Sequence, residues 1–383
     1  MNILYITHCD PRDTGFGSAQ RSHLLWEALK KFGDVYTVYN IGSAESPVND
    51  EAHRIKSACF APKGFWAVHI FAFINRKFAP FVWPFRRWQY LRDKMPWKDV
   101  TFDIVVVRYI GTVALTNAWK FGKVYVDIDD LPSESFNTIR RGRMLPPFGW
   151  IGSMLVSWWQ KYILKKCSAA WIASADQVDE MSCTCPCSVL PNLPMPVSDG
   201  YQVNGAQKEQ IMTVGLMSYE PNYQGVDWFI DNVWPSLRTK FGNLEYKVCG
   251  KGVPPSLQAK WSKFPGVVIA GFVRDVDKVY EESIAVVTPI WSGAGTCIKV
   301  PEAAMHGRKV FATPFAARGI GDKAIDSLKI SVSETPEGMS EMIASWMAQG
   351  CDLRASTQTA IFESAKTHFT DRRFFASVGI VLP

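Results

Sequence analysis

The order of elements in residues 284–319 (IAVVTPIWSGAGTCIKVPEAAMHGRKVFATPFAARG) restricts the fold more than any other stretch of the chain. Residues 284–289 are a short apolar run with β-branched side chains, which reads as a strand buried on both faces. Ser292, Gly293, Ala294, Gly295 and Thr296 follow, and the two glycines let the backbone approach a ligand and turn its N–H groups outward. Proline is tolerated only in the first turn of a helix, so Pro301 either sets the start of the next helix between Ile298 and Val300 or kinks it. Gly307 ends that helix as its C′ residue, and 309–313 is the next strand. Lys299 and Glu302 stand one turn apart near the helix start, where a positive charge meets phosphate and a carboxylate meets hydroxyls. The plainer alternative is a solvated i,i+3 pair in an ordinary strand, loop, helix, strand unit.

The same alternation runs along the rest of the chain. Strands are expected at 2–7, 35–39, 103–107, 123–126, 169–173 and 188–190, with an amphipathic helix at 18–31 that turns Leu24, Leu25, Ala28 and Leu29 inward. Residues 191–206 (PNLPMPVSDGYQVNGA) interrupt the pattern with three prolines and two glycines. Strands resume at 210–215, 245–249, 266–270, 284–289, 309–313 and 328–332, separated by helices such as 225–240. The expected fold class is α/β, with two Rossmann-like parallel-sheet domains facing across a cleft. Their bounds are 1–190, a proline-rich hinge at 191–206, 207–360, and a helical segment at 361–383 packing back toward the N-terminal domain. Open parallel sheets take ligands at the carboxyl ends of their strands.

A chain of 383 residues suits two such domains with good cores. The net charge of +6 is modest for a nucleic-acid binder, and glycine-framed aromatic RNA-binding signatures are absent, so nucleic acid is not an expected partner. Nine cysteines, odd in number and mostly scattered, suit reduced thiols in the cytosol. Cys183, Cys185 and Cys187 alternate across a strand and lack the paired spacing of a zinc site, so free thiols are expected there. No basic n-region or sufficiently long apolar stretch follows Met1, and no signal peptide is expected.

Residues 211–252 (IMTVGLMSYEPNYQGVDWFIDNVWPSLRTKFGNLEYKVCGKG), together with the GAGT…K…PEAAMHGRKVFAT stretch, resemble the nucleotide-sugar-binding domain of glycosyltransferases with the GT-B fold, of the group-one or family-four kind. The likeness is good over roughly residues 205–325 and weak over the N-terminal half. It implies a nucleotide diphosphate-sugar donor as co-substrate, retention of anomeric configuration, and no bound metal or other cofactor. It carries Gly215, Gly293, Gly295, Thr296, Lys299 and Glu302 over to the donor site. Glu302 matches the second glutamate of the family's E-x7-E motif, which contacts the ribose, and Lys299 falls where a base reaches the diphosphate. Ala294 stands in place of the first glutamate, and residues 216–219 (LMSY) carry no base where the family often has an arginine. Arg318 and Gly319 lie in a loop that approaches the donor in relatives.

The N-terminal loop 13–18 (DTGFGS) occupies the place of the family's glycine loop, which implies that Gly15 and Gly17 face the donor phosphate. A tight turn before a helix capped by Ser18 is the alternative. Arg21 either adds positive charge to the cleft or lies on the surface. Asp127, Asp129 and Asp130 follow a strand end, where many relatives carry a histidine near the reacting centre. Neighbouring carboxylates raise one another's pKa, which suits proton transfer or hydrogen bonding to sugar hydroxyls. Asp127 and Asp129 are therefore the catalytic candidates, with His8 at the mouth of the cleft as a third. A D-x-D metal site belongs to the other major glycosyltransferase fold and is not expected.

Residues 61–100 hold eight Lys or Arg against two Asp, and 140–166 hold six with no acid. In 61–98 these bases are interleaved with Phe and Trp, the composition of a surface that lies on an anionic membrane without spanning it. Residues 150–166 either extend that surface or form a core helix with a basic tail. The expectation is a cytoplasmic glycosyltransferase, peripheral at the inner face of the cell membrane. It would move a hexose-type sugar to a glycan or lipid-linked glycan acceptor in polysaccharide or glycoconjugate synthesis. A nucleotide-sugar epimerase of the same architecture and a non-catalytic glycan-binding scaffold are the rivals.

Overall fold

The structure, a computed structural model, describes residues 1–15, 17–39, 49–50, 52–57, 91–93, 95–140, 148–198, 201–203, 208–293 and 295–382. The chain divides into two compact units, Met1–Asn192 with Asp371–Pro383, and Leu193–Thr370.

The first unit is built on a sheet of β1 (Asn2–Ile6), β2 (Asp34–Tyr39), β3 (Asn49–Asp50), β4 (Ile55–Ser57), β5 (Ile104–Arg108), β6 (Lys123–Ile128), β7 (Ala169–Ile172) and β8 (Cys187–Val189). Their spatial order is β3-β4-β2-β1-β5-β6-β7-β8, with every neighbour parallel except the β3–β4 pair. β1 and β5 are apolar almost throughout and buried on both faces, as a parallel sheet covered by helices requires. The chain leaves β1 in one direction to β2 and β4, then returns to the other side for β5, β6, β7 and β8. The carboxyl ends of β1 and β5 thus mark the switch point where open α/β sheets place a crevice. Helix Gly17–Leu29 follows β1, and helix Phe148–Leu164 buries Val156, Trp159, Ile163 and Leu164 in this unit. The C-terminal helix Asp371–Val381 closes the unit: Phe374 and Val378 are buried, and Trp171 Nε1 donates to the Ser377 carbonyl at 3.3 Å.

The second unit is a wholly parallel sheet of β9 (Gln210–Val214), β10 (Glu245–Cys249), β11 (Val267–Gly271), β12 (Ala285–Thr288), β13 (Lys309–Ala312) and β14 (Ser331–Val332). Its order β11-β10-β9-β12-β13-β14 reverses between β9 and β12. Three details depart from the sequence reading. The helix expected over 225–240 is two, Glu220–Asn232 and Trp234–Lys240, because Pro235 has no N–H and sits in the first turn of a new helix. The last strand is shorter than 328–332 because Leu328 closes a helix and Lys329 takes a left-handed backbone, φ 51. Helix Cys351–His368 stays with the second unit, packing Ile361 and Ala365 into the cluster of Val300, Ala303 and Ala304. The return to the first unit therefore begins at Asp371 rather than 361.

Candidate active site

At the β9–β12 switch point, β9 runs out into Gly215 and β12 into Pro289, Ile290 and the glycine loop. Helix Lys299–Met305 begins where Pro301 requires, in the first turn. The Lys299 ammonium donates to Asn222 Oδ1 at 3.0 Å, and Asn222 Nδ2 donates to the Leu216 carbonyl at 2.8 Å. A β-carbon at Gly215 would lie 2.5 Å from Lys299 Cε, so the residue must be glycine for the lysine to lie along the end of β9. Gly295 has φ 67, and its carbonyl accepts from Arg318 Nε at 2.8 Å while the guanidinium lies 3.5 Å from the Phe315 ring centroid. Arg318, from the loop after β13, thus fixes the turn of the glycine loop. A β-carbon at Gly293 would lie 3.3 Å from the Tyr219 hydroxyl, and Thr296 lies half-buried between Gly295 and the helix.

Glu302 Oε2 accepts from the buried Tyr280 hydroxyl at 3.2 Å. Burial first, and the Glu302 carboxylate second, push the Tyr280 phenol far above its ordinary pKa, so it stays a donor to Glu302. His306 is structural: its ring stacks on Tyr280 and bonds the Glu302 carbonyl at 2.7 Å and Asp277 at 2.8 Å. The hydrogen bond from His306 in turn holds the Asp277 carboxyl well below the usual range, against the opposing effect of burial.

The first unit holds a second set of polar groups at the ends of β1, β5 and β6, and here the sequence reading needs correction. Asp127 is fully buried between two arginines. Arg21 Nη2 lies 2.6 Å from Asp127 Oδ1, and Arg108 Nη1 bonds Asp127 Oδ2. Burial pushes the Asp127 carboxyl up, but the two guanidiniums outweigh it and hold the group below the usual carboxylate range. Asp127 is therefore a fixed anion of an ion-pair cluster, not a proton-transfer group. Arg21 is neither a surface residue nor an exposed cleft charge, since it also donates to the Leu190 carbonyl at 2.9 Å and to Asn192 Oδ1 at 2.8 Å. Asp129 is tied to the same network through Asn192 Nδ2 at 2.8 Å and Arg108 Nη2 at 3.4 Å, yet keeps some exposure.

His8 lies edge-on to Tyr109, 5.1 Å between ring centroids, with Nε2 3.0 Å from Ser18 Oγ and Nδ1 buried without a hydrogen-bond partner. Burial and then Arg108 press its pKa down to about 4, against the pull of Asp129, so the imidazole is neutral at pH 7. Tyr109 adopts φ 69 and ψ 137, a backbone region that a β-carbon disfavours and that is found where a site over-determines the chain. The Gly15 N–H donates to Asp13 Oδ1 at 2.8 Å and is not turned toward a ligand; Gly17 begins the helix, so Ser18 is inside it and is not its cap.

Arg108, Tyr109, Asn192, Asn222 and Tyr280 were not singled out in the sequence. An arginine ending the apolar strand DIVVVR was the available signal for Arg108; nothing local marks Asn222, whose role depends on Lys299 from a distant helix. Cys183, Cys185 and Cys187 are free, with Cys185 and Cys187 Sγ atoms 3.9 Å apart. Among the described residues no three His, Cys, Asp or Glu side chains converge as metal ligands. Most of the basic aromatic segment 61–98, and Ala294, lie outside the described residues.

Residues 208–349 match the family described as glycosyl transferases, group 1. No curated protein matches the chain in sequence. Among solved structures, sucrose-phosphate synthase from Thermosynechococcus elongatus shares 13% identity at a TM-score of 0.70, covering 99% of this chain and 98% of that one. A structure from E. coli described as trehalose-6-phosphate bound with UDP-2-fluoro glucose shares 11% at 0.65, covering 100% and 99%. WaaG, a glycosyltransferase involved in lipopolysaccharide biosynthesis, shares 13% at 0.62, covering 99% and 98%. Identities this low speak for the fold alone. The chain has the GT-B fold of two parallel-sheet α/β domains, and residues 208–349 of its C-terminal unit are similar to the group 1 glycosyl transferases.

Proposed function

We propose that the chain transfers a sugar from a nucleotide diphosphate-sugar to a glycan or lipid-linked glycan acceptor, with retention and without a bound metal. The observation that carries this reading is the Lys299 ammonium, aligned by Asn222 beside Gly215 at the sheet's switch point. A preorganised cation stabilises charge as it develops on a leaving diphosphate. Glu302, oriented by Tyr280, is the acceptor for ribose hydroxyls. The UDP-sugar held by the E. coli neighbour is the donor chemistry this arrangement suits. In the first unit, Asp129 and His8 are left as the polar groups for an acceptor hydroxyl once Asp127 is taken up by arginines. We assign the protein to the cytoplasmic side of the membrane in polysaccharide or glycoconjugate synthesis.

Thermal-shift measurements with UDP, GDP, ADP, dTDP and CMP, with and without magnesium, test the reading on wild type, Lys299→Ala and Glu302→Ala. One diphosphate raising the melting temperature without metal, and losing that effect in both variants, is the expected result. A shift with magnesium alone would contradict metal-free binding, and no shift with any nucleotide would leave a non-catalytic module.

A further inference from the structure

We propose that the outward face of helix Phe148–Leu164 is a docking surface for an anionic lipid bilayer. The core fixes the orientation of this helix: Val156, Trp159, Ile163 and Leu164 are buried, and Gly152 admits the Phe136 ring so closely that a β-carbon would meet it at 2.5 Å. The opposite face is apolar and open to solvent. Phe148 and Trp150 are each 61% exposed, Met154 71% and Trp158 62%, with Ile151 and Leu155 beside them. Trp150, Ile151, Met154, Leu155 and Trp158 recur at steps of three and four, so they form one continuous stripe. A contiguous stripe of large apolar side chains on a protein surface marks a place that something covers.

Charge decides what covers it. Lys161 and Lys165 continue the same side past the apolar turns, and Lys166 Nζ lies 4.9 Å from the Tyr162 ring centroid and 5.3 Å from that of Trp119. Residues 150–166 contain three lysines and no acid. A second copy docked through this face in a symmetric pair would bring its own lysines toward those of the first. Anionic headgroups meet them directly, with tryptophans at headgroup depth and lysine stems reaching outward. The helix is 17 residues long, and among the described residues no helix is long and apolar enough to cross a membrane, so it lies in the interface. The first unit would thereby be held where a lipid-linked acceptor is presented.

The inference rests on the acceptor reading above, and the two fail separately. The full chain is sedimented with vesicles of phosphatidylcholine alone or mixed with phosphatidylglycerol, at low and high salt. Wild type is expected to pellet with the anionic vesicles and to be released by salt. Met154→Glu and Trp158→Glu each lower the bound fraction at least about tenfold, and Lys161→Glu with Lys165→Glu abolishes the preference for anionic lipid. These side chains are exposed, so the melting temperature and any nucleotide-induced shift stay at wild-type values. Failure of wild type to pellet, or variants that pellet as wild type does, would overturn the docking surface. So would a wild-type dimer in light scattering that Trp158→Glu separates, or binding to an acidic protein in place of lipid. Loss of the nucleotide shift with vesicle binding intact removes the transfer reading alone.

Discussion

Arg21 Nη2 lies 2.6 Å from Asp127 Oδ1, with both side chains out of solvent. This pair joins the first helix to β6, and Arg108 completes it from β5. Replacing one partner of a buried ion pair leaves the other charges uncompensated, which costs about 3–5 kcal/mol. Asp127→Asn is therefore expected to lower the unfolding free energy of the first unit by that amount, measured by denaturant titration followed by tryptophan fluorescence. If Asp127 instead served proton transfer, the variant would lose activity while keeping wild-type stability.

The two candidate titrations act in different pH windows. His8 has a folded pKa of about 4 against 6.5 unfolded. Below pH 6.5 the unfolded chain takes up a proton that the folded one refuses, so stability falls from pH 6.5 down to about 4, by about 3 kcal/mol in all. The Asp127 carboxyl is depressed, so its contribution is present above the unfolded carboxylate value and is lost only as pH falls through the lower folded value. In a series of melts from pH 7 to 4.5, His8→Gln should flatten the decline that wild type shows. An unchanged slope would mean that His8 titrates normally.

Lys299 and Asn222 should separate by magnitude. Lys299→Ala removes the charge-assisted contact to phosphate, worth about 1.5–3 kcal/mol, and is expected to weaken diphosphate affinity by about 10- to 100-fold. Asn222→Ala keeps the cation but releases it, and the loss should be about 10-fold or less. Calorimetric titration of the nucleoside diphosphate checks both, and equal losses would show that alignment matters as much as charge.

Gly307 is held by backbone and space together. Its φ is 66, and a β-carbon there would meet Val203 Cγ1 at 2.6 Å and the Gln358 carbonyl at 2.9 Å. Gly307→Ala should destabilise the second unit by about 2 kcal/mol or more through left-handed strain and contact. Chemical denaturation measures it; a shift within about 0.5 kcal/mol would mean that the loop relaxes freely.

The sequence by itself determined the alternation of strands and helices, the parallel sheets and the glycine loop with Lys299 and Glu302. Those features are written in local periodicity, in the placement of Pro301 and Gly307, and in residues a few positions apart. Tertiary structure alone decided what Asp127 is. Its neighbours Asp129 and Asp130 suggested mutual repulsion and a raised pKa, but Arg21 and Arg108 arrive from elements far away in the chain and reverse the sign. The same holds for Asn222 aligning Lys299, for Arg318 gripping Gly295, and for the exposed stripe of helix Phe148–Leu164. Periodicity tells which residues share a face, but only packing tells which face is covered and which charges meet.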